Sequence, residues 1–465
     1  MRHRDEVEEM PTAGVPPAPE PPDSPHARVV ITIASLGFFL ITLDISIVNV
    51  ALSAIRAELG GGVTGQQWII DGYTLLFACL LLFAGNLSDR IGAKRALALG
   101  VVVFTITSAA CAAAPSAGAL IAARCAQGAG AAIMLPASMA LVREAFPEPG
   151  RRARALGIWA VGGAVAGLLG QPLGGFLTSL DWRWVFLVNV PVCGGMLVFL
   201  TRVATSPRRP SPFDVAGQVL AVLGLSALVF GLIDGGHRGF TSPTVVANLV
   251  LAVAAIAGFI VVQARAAHPM VPLDLFRARG VRIALPVGFA FMVGNFGNVF
   301  VVSLYLQQHL GLTPLRAGLV FVPSAVLAVA GNLASGPVTN RFGARVPVVA
   351  GLTSMVAGLL GLAATVGAGS VGWTALCVCF FGAGGSLAMP SVTSVVLEGV
   401  APERSGTASA VFNTFRQIGG AVAIAVFGAL VSGEFLAGAR ASFLISAALL
   451  LGAALLSLRV PTRTV

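Results

Sequence analysis

From Val29–Ile55 near the start to Ala441–Leu458 near the end, the chain is a succession of apolar runs, and no other feature constrains it as much. A membrane-crossing helix needs roughly 20 apolar residues, and about fourteen such runs follow one another, separated by short polar joints. Of the 465 residues 56% are hydrophobic and 10% charged, against about 25% charged in soluble domains. Inside lipid every backbone polar group must be satisfied within its own segment, which helices achieve. The expectation is an all-α polytopic membrane protein. The net charge of +10 is spread over the short joints rather than gathered on a patch, so no nucleic-acid partner is expected.

Placing the amino terminus inside puts 22 of the 29 Lys and Arg in joints on that side, five in the opposite joints, and Arg124 and Arg416 within runs. That asymmetry obeys the positive-inside rule and predicts both termini in the cytoplasm. Ala- and Gly-rich composition with Lys94 as the single lysine points to a bacterial cell (inner) membrane protein. Residues 1–28 are Pro-rich and acidic and lack the basic start and short apolar core of a cleaved signal; a disordered cytoplasmic tail is expected there, and a second at 461–465. The six cysteines lie in apolar runs, where packing is their expected use. The five histidines form no metal-binding pair, and no phosphate-binding loop is present, so no cofactor is expected and the energy is not expected to come from ATP on this chain.

One joint, GNLSDRIGAKR (Gly85 to Arg95), returns as GPVTNRFGAR (Gly336 to Arg345), with Gly85/Gly336, Arg90/Arg341, Gly92/Gly343 and Lys94/Arg345 at identical offsets. An internal repeat of this kind marks a transporter built from two related halves. The copies follow the second and tenth runs, so two runs are inserted between the halves. The predicted organisation is six helices (29–204), an inserted pair with its linkers (205–280) and six more (281–460).

The chain resembles the major facilitator superfamily, in particular its fourteen-helix drug/proton antiporter branch. The resemblance rests on the Gly85–Arg95 joint, LDISIVNVALSAI (Leu43 to Ile55), RCAQGAGAAIMLPASMALV (Arg124 to Val142), DWRWVFLVNVP (Asp181 to Pro191), FDVAGQVL (Phe213 to Leu220) and YLQQHLGLTPLRAG (Tyr305 to Gly318). It implies two six-helix bundles rocking about a central site, energised by protons. In the run with Gly162, Gly163, Gly167, Gly170, Gln171, Pro172, Gly174 and Gly175, the resemblance implies the export-associated helix, with one departure: Gln171 stands where the family shows proline, and the proline is shifted by one.

The residues themselves narrow the site. Asp44 and Arg124 are charges inside apolar runs at comparable depth, where an unpaired charge is costly, so they are expected to communicate, with protonation of Asp44 part of the coupling. A static structural pair is the alternative. Asp71, about a turn into the second run, serves either a proton path or the dipole of its helix. Asp89 is expected to accept hydrogen bonds from the next helix and to pair with Arg90, Lys94 or Arg95, latching the Gly85–Gly92 joint; charges that only fix topology are the alternative. The glycines spaced by three and four offer a smooth face to another backbone. Asn49, Asn295, Asn298, Asn413, Arg416 and Gln417 are weaker candidates for the substrate cavity; Arg416 either snorkels or reaches that cavity. Trp68 and Tyr73 line an outer vestibule or anchor the interface.

These features favour a proton-coupled antiporter, functional as a monomer, that exports hydrophobic or amphipathic small molecules. Cationic cargo is included, although the second half offers almost no membrane-buried acid to select it. A dedicated exporter of one endogenous metabolite or antibiotic is the alternative. A nutrient importer or a polytopic membrane enzyme fits less well.

Overall fold

The computed structural model describes residues 25–208, 214–400 and 404–460. The expected tails, apart from residues 25–28, and residues 209–213 of the first linker lie outside the described residues.

Among the described residues seventeen α-helical segments follow one another: α1 (Pro25–Leu59), α2 (Gly62–Ile91), α3 (Ala93–Ala112), α4 (Ala117–Ala145), α5 (Pro149–Leu180), α6 (Trp184–Leu187), α7 (Asn189–Leu200), α8 (Val215–Arg238) and α9 (Pro243–Arg265). After a 3-10 turn at Leu273–Arg277 come α10 (Arg279–Met292), α11 (Asn298–Leu304), α12 (Pro314–Val320), α13 (Val322–Phe342), α14 (Arg345–Thr365), α15 (Val371–Glu398), α16 (Ser405–Val431) and α17 (Phe435–Ser457). Single π-helical turns, Val293–Gly297 and Tyr305–His309, follow α10 and α11. No strand occurs among the described residues.

Among the described residues twelve spans are long and apolar enough to cross a membrane. Two of the fourteen expected runs fall short of that test. The run Gly62–Ile91 is bent by 57° around residue 82, and Trp184–Leu200 is a shorter helix broken at Val188. Pro191 accounts for the second break, because its ring clashes with the carbonyl four residues back, that of Leu187, where α6 ends.

The repeated joints adopt the same conformation. Gly92 ends α2 at φ 91° and Gly343 ends α13 at φ 77°, with their N–H groups donating to the carbonyls of Ser88 and Thr339. Only glycine takes such a backbone without strain. These joints define a hinge end of the bundle; the turn Gly60–Gly62 marks the far end.

The core is asymmetric between the ends. One buried cluster, running from Val30 to Val203, stays within the first half and reaches its hinge end. The larger cluster joins far-end residues of the first half, among them Ile47, Ile55, Ile69 and Phe186, to the second half. Cross-half hydrogen bonds lie at the far end too. Gln67 Nε2 donates to the carbonyls of Ile424 and Ala425 at 3.1 and 2.8 Å, Ser303 Oγ to that of Asn49 at 3.1 Å, and Arg56 Nη1 to Gln308 Oε1 at 3.1 Å. In this conformation the halves are sealed at the far end.

The helices α8 and α9 pack on one another, and α8 lies against both α2 and α16, one helix from each half. Gln218 Nε2 donates to the Cys79 carbonyl at 2.9 Å, and Gln263 ties Asp214 at the start of α8 to the Val271 N–H beyond α9. Most of α9 is exposed apolar surface (Val246, Val250, Val253, Ile260), as a lipid-facing helix requires. Beyond the spans, Arg404 binds Asp274 and holds its carboxyl below the usual carboxylate range.

Candidate functional site

Asp44 and Arg124 meet. Arg124 Nη1 lies 2.5 Å from Asp44 Oδ2, and both side chains are sealed from solvent at 1% and 0% exposure. The pair is the centre of a network drawn from five helices. Gln127 Nε2 and Asn189 Nδ2 both donate to Asp44 Oδ1 at 2.9 Å, and Gln127 also donates to Ser108 Oγ at 2.8 Å. Arg124 donates through Nε to the Ile69 carbonyl at 3.0 Å and through Nη1 to Gln127 Oε1 at 2.7 Å. Its guanidinium sits 4.3 Å from the centre of the Tyr73 ring. A lone charge at the middle of a spanning helix costs roughly 2.5–3.5 kcal/mol on insertion scales; here the charges cancel and their polar atoms are largely hydrogen-bonded. Tyr73 is therefore not a vestibule residue: it is fully buried beneath Arg124. Gln127, Asn189 and Ser108 were not singled out from sequence. Gln127, three residues after Arg124, was the one with a usable signal, because that spacing stacks side chains on one helix face.

Asp71 is the opposite case. It is fully buried on α2, and neither carboxylate oxygen has a hydrogen-bond partner. It lies one turn from Gln67 on the same face, the face that meets α16 at the seam between the halves.

The glycines of α5 do form the expected face, and its partner is α1. A side chain at Gly162 would strike the Ser35 carbonyl, at Gly163 the Phe38 ring, at Gly170 Ser46, and at Gly174 the Ile47 backbone. Gly175 faces the backbone of Pro314 and Leu315 across the halves, and Gly318 faces the Gln171 carbonyl. Gly167 has open space around it. Gln171 is buried, with Oε1 unpartnered. Phe38 also stacks on Trp159, with ring centres 4.1 Å apart.

At the hinge, Asp89 is exposed, and the residue at the N-cap of α3 is Gly92, which has no side chain to cap it. Ser206 holds the joint instead. Its Oγ accepts from the Lys94 N–H at 3.0 Å and donates to Glu144 Oε2 at 2.5 Å, while Lys94 Nζ reaches the Val203 carbonyl at 2.5 Å. Gly92 packs on the Ser206 carbonyl, where a Cβ would come within 2.9 Å. No side chain crowds Gly85 or Gly336; Arg90 and Arg95 are exposed.

The weaker candidates separate. Asn49 donates to the Ile45 carbonyl of its own helix. Asn298 donates to the Gly294 carbonyl and to Ser446 Oγ, closing the backbone of the π turn. Asn295, Asn413, Arg416 and Gln417 are half-buried, and Arg416 Nη1 donates to Asn413 Oδ1 at 3.2 Å. No cluster of His, Cys, Asp or Glu able to hold a metal occurs among the described residues.

The family model described as Major Facilitator Superfamily matches residues 34–424. The chain belongs to the major facilitator superfamily. Its relatives include the methylenomycin A resistance protein of Streptomyces coelicolor, 37% identical over 91% of this chain and 90% of that one. The multidrug resistance protein Stp of Mycobacterium tuberculosis is 36% identical over 85% of this chain and 74% of its own length. The tetracenomycin C resistance and export protein of Streptomyces glaucescens is 34% identical over 86% and 74%. In fold, this major facilitator chain is similar to a D-xylose–proton symporter at TM-score 0.68, 15% identity and 94% and 98% coverage. A POT family transporter superposes at TM-score 0.66, 17% identity and 92% and 95% coverage. The protein is a multi-pass membrane transporter of the major facilitator fold.

Proposed function

We propose that the protein is a proton-coupled antiporter of the fourteen-helix drug branch, exporting hydrophobic or amphipathic small molecules by alternating access. Counting the bent α2 and the broken α6–α7 as spans gives six helices, the inserted α8–α9 pair and six more. Both termini lie in the cytoplasm of a bacterial cell, the far end faces outward, and the monomer is the working unit. In this conformation the outer end is sealed. Similarity to proteins named for resistance and export supports the outward direction, as does the glycine face of α5 seated on α1 and α12.

The observation that carries the coupling is Asp71, a buried acid without a partner at the seam of the two halves. Burying an unpaired carboxylate is too costly to sustain, so Asp71 carries a proton in this conformation and gives it up when the seam opens. Asp44, held by three donor side chains, keeps its charge paired until the bundle rearranges. The hinge around Gly85, Asp89, Arg90, Gly92, Lys94 and Arg95 stiffens the turn between α2 and α3 during rocking.

Efflux of a panel of lipophilic dyes from cells expressing the protein, with and without an uncoupler, tests this reading. Uncoupler-sensitive efflux above the empty-vector control is expected; efflux that ignores the uncoupler refutes proton coupling. Relatives named for single antibiotics favour a second reading, a dedicated exporter of one compound using the same mechanism. Under that reading the panel stays inside and one chemical class leaves.

A further inference from the structure

We infer that Arg416 is the anchor for a negatively charged group on the cargo, so that the transported class is the amphipathic organic anion. The inference rests on the exporter reading and narrows it. Arg416 lies eleven residues beyond Ser405, about 16 Å along α16, which places it toward the middle of the span rather than at its end. Its Nε is buried without a partner, and its one side-chain hydrogen bond goes to the neutral amide of Asn413. In the same stretch of α16, Thr414 Oγ1 and Gln417 Oε1 are also buried and unpartnered. The rings of Phe291 and Phe412 stand 5.9 and 5.7 Å from the guanidinium carbon, and the stem of Arg416 runs close against Gly288 of α10.

Among the described residues no acid pairs with this cation. From Val281 onward the sequence contains no Asp and three Glu, at 398, 403 and 434. Glu398 is the last residue of α15 and Glu434 immediately precedes α17, both at helix ends; Glu403 lies in the connection before α16, outside the described residues. Across the seam, Asp44 is already bound by Arg124, Gln127 and Asn189. Asp71 sits beside Gln67, whose partners Ile424 and Ala425 are two turns farther along α16 than Arg416.

A planar guanidinium with free donors and aromatic rings beside it matches a carboxylate, or another anionic oxygen group, carried on an apolar body. The charge would rest on Arg416 and the body on Phe296, a half-buried ring that packs on Gly420 one turn beyond Arg416, while the buried rings of Phe291 and Phe412 back the guanidinium. A cationic cargo meets an uncompensated like charge there, which works against it. The site therefore selects by charge sign and is lax about shape, as a mostly apolar pocket with one fixed polar group should be.

Fluorescein and rhodamine 123 share a xanthene frame and carry opposite charge, so they isolate the charge preference. Each dye is titrated by fluorescence anisotropy at pH 8 against the full-length protein in phosphatidylcholine nanodiscs. The wild type is expected to bind fluorescein at least tenfold more tightly than rhodamine 123. Arg416→Gln should weaken fluorescein at least tenfold, and Arg416→Lys should keep it within about threefold of wild type while melting at the same temperature. Equal binding of the two dyes, absence of fluorescein binding by the wild type, or unchanged fluorescein binding by Arg416→Gln overturns the inference. Transport is read separately in everted vesicles. Fluorescein that binds but is not accumulated on energisation sinks the export reading and leaves the anion site standing.

Discussion

Asp44 on α1 and Arg124 on α4 are joined 2.5 Å apart in a space closed to solvent, and the amides of Gln127 and Asn189 complete the carboxylate's partners. Breaking a buried pair by removing one member costs about 3–5 kcal/mol, because the remaining charge is stranded. Asp44→Asn and Arg124→Gln should each lower the thermal unfolding temperature in detergent and abolish efflux. The double variant removes both charges and should recover most of the lost stability without recovering efflux. Single variants that melt with the wild type would show that the network has no structural weight.

Asp71→Asn makes the contrasting case. Asp71 forms no hydrogen bond that the substitution could break, so stability should fall far less than in Asp44→Asn while proton-driven transport is lost. Proton release on adding cargo to energised everted vesicles checks this. A variant that still exchanges protons for cargo at the wild-type rate removes Asp71 from the coupling path.

These two acids also show what a sequence of this kind reveals. Charges inside apolar runs stand out because lipid penalises them, so Asp44, Arg124 and Asp71 could be found, and the comparable depth of the first two predicted their meeting. Gln127 and Asn189 bear no charge and break no period, so an apolar helix hides them. The Gly92 and Gly343 turns were readable from the repeat itself. Ser206, which holds the Gly92 turn, was not, because it reaches Lys94 across 112 residues of chain. The smooth face of α5 was legible as spacing, but spacing could not say that α1 covers it, nor that Gly167 looks into open space. The sixth run read as one helix because hydropathy does not register the ring of Pro191.

The glycines of α5 allow a prediction within a single helix. Gly163→Ala places a Cβ into the Phe38 ring and Gly174→Ala one into the Ile47 backbone; overpacking of this kind costs about 1–3 kcal/mol. Gly167→Ala meets nothing and should gain up to about 1 kcal/mol from helix propensity. Melting temperatures of the three purified variants decide the matter. Similar losses at all three positions would mean that the face is not set by contact with α1.

The far-end seal turns on Gln67, whose amide donates to two carbonyls of α16 and lies over Gly428, where any side chain would collide with it. Each such bond contributes about 0.5–1.5 kcal/mol, and these two form only while the halves are closed at this end. Gln67→Leu should therefore move the equilibrium roughly tenfold toward the state open at the far end, since 1.4 kcal/mol is about a factor of ten. Ser303 reports on the seam: it is fully buried and donates to the Asn49 carbonyl of the other half. With Ser303→Cys as background, the rate of labelling by a maleimide should rise about tenfold on adding Gln67→Leu, and Gly428→Ala should act in the same direction. Cargo that binds the state open at the hinge end should slow the labelling again, because a ligand shifts the equilibrium only toward the conformation it prefers. A labelling rate indifferent to Gln67 would mean that the apolar contacts around Ile47, Ile69 and Phe186 hold the far end closed without it.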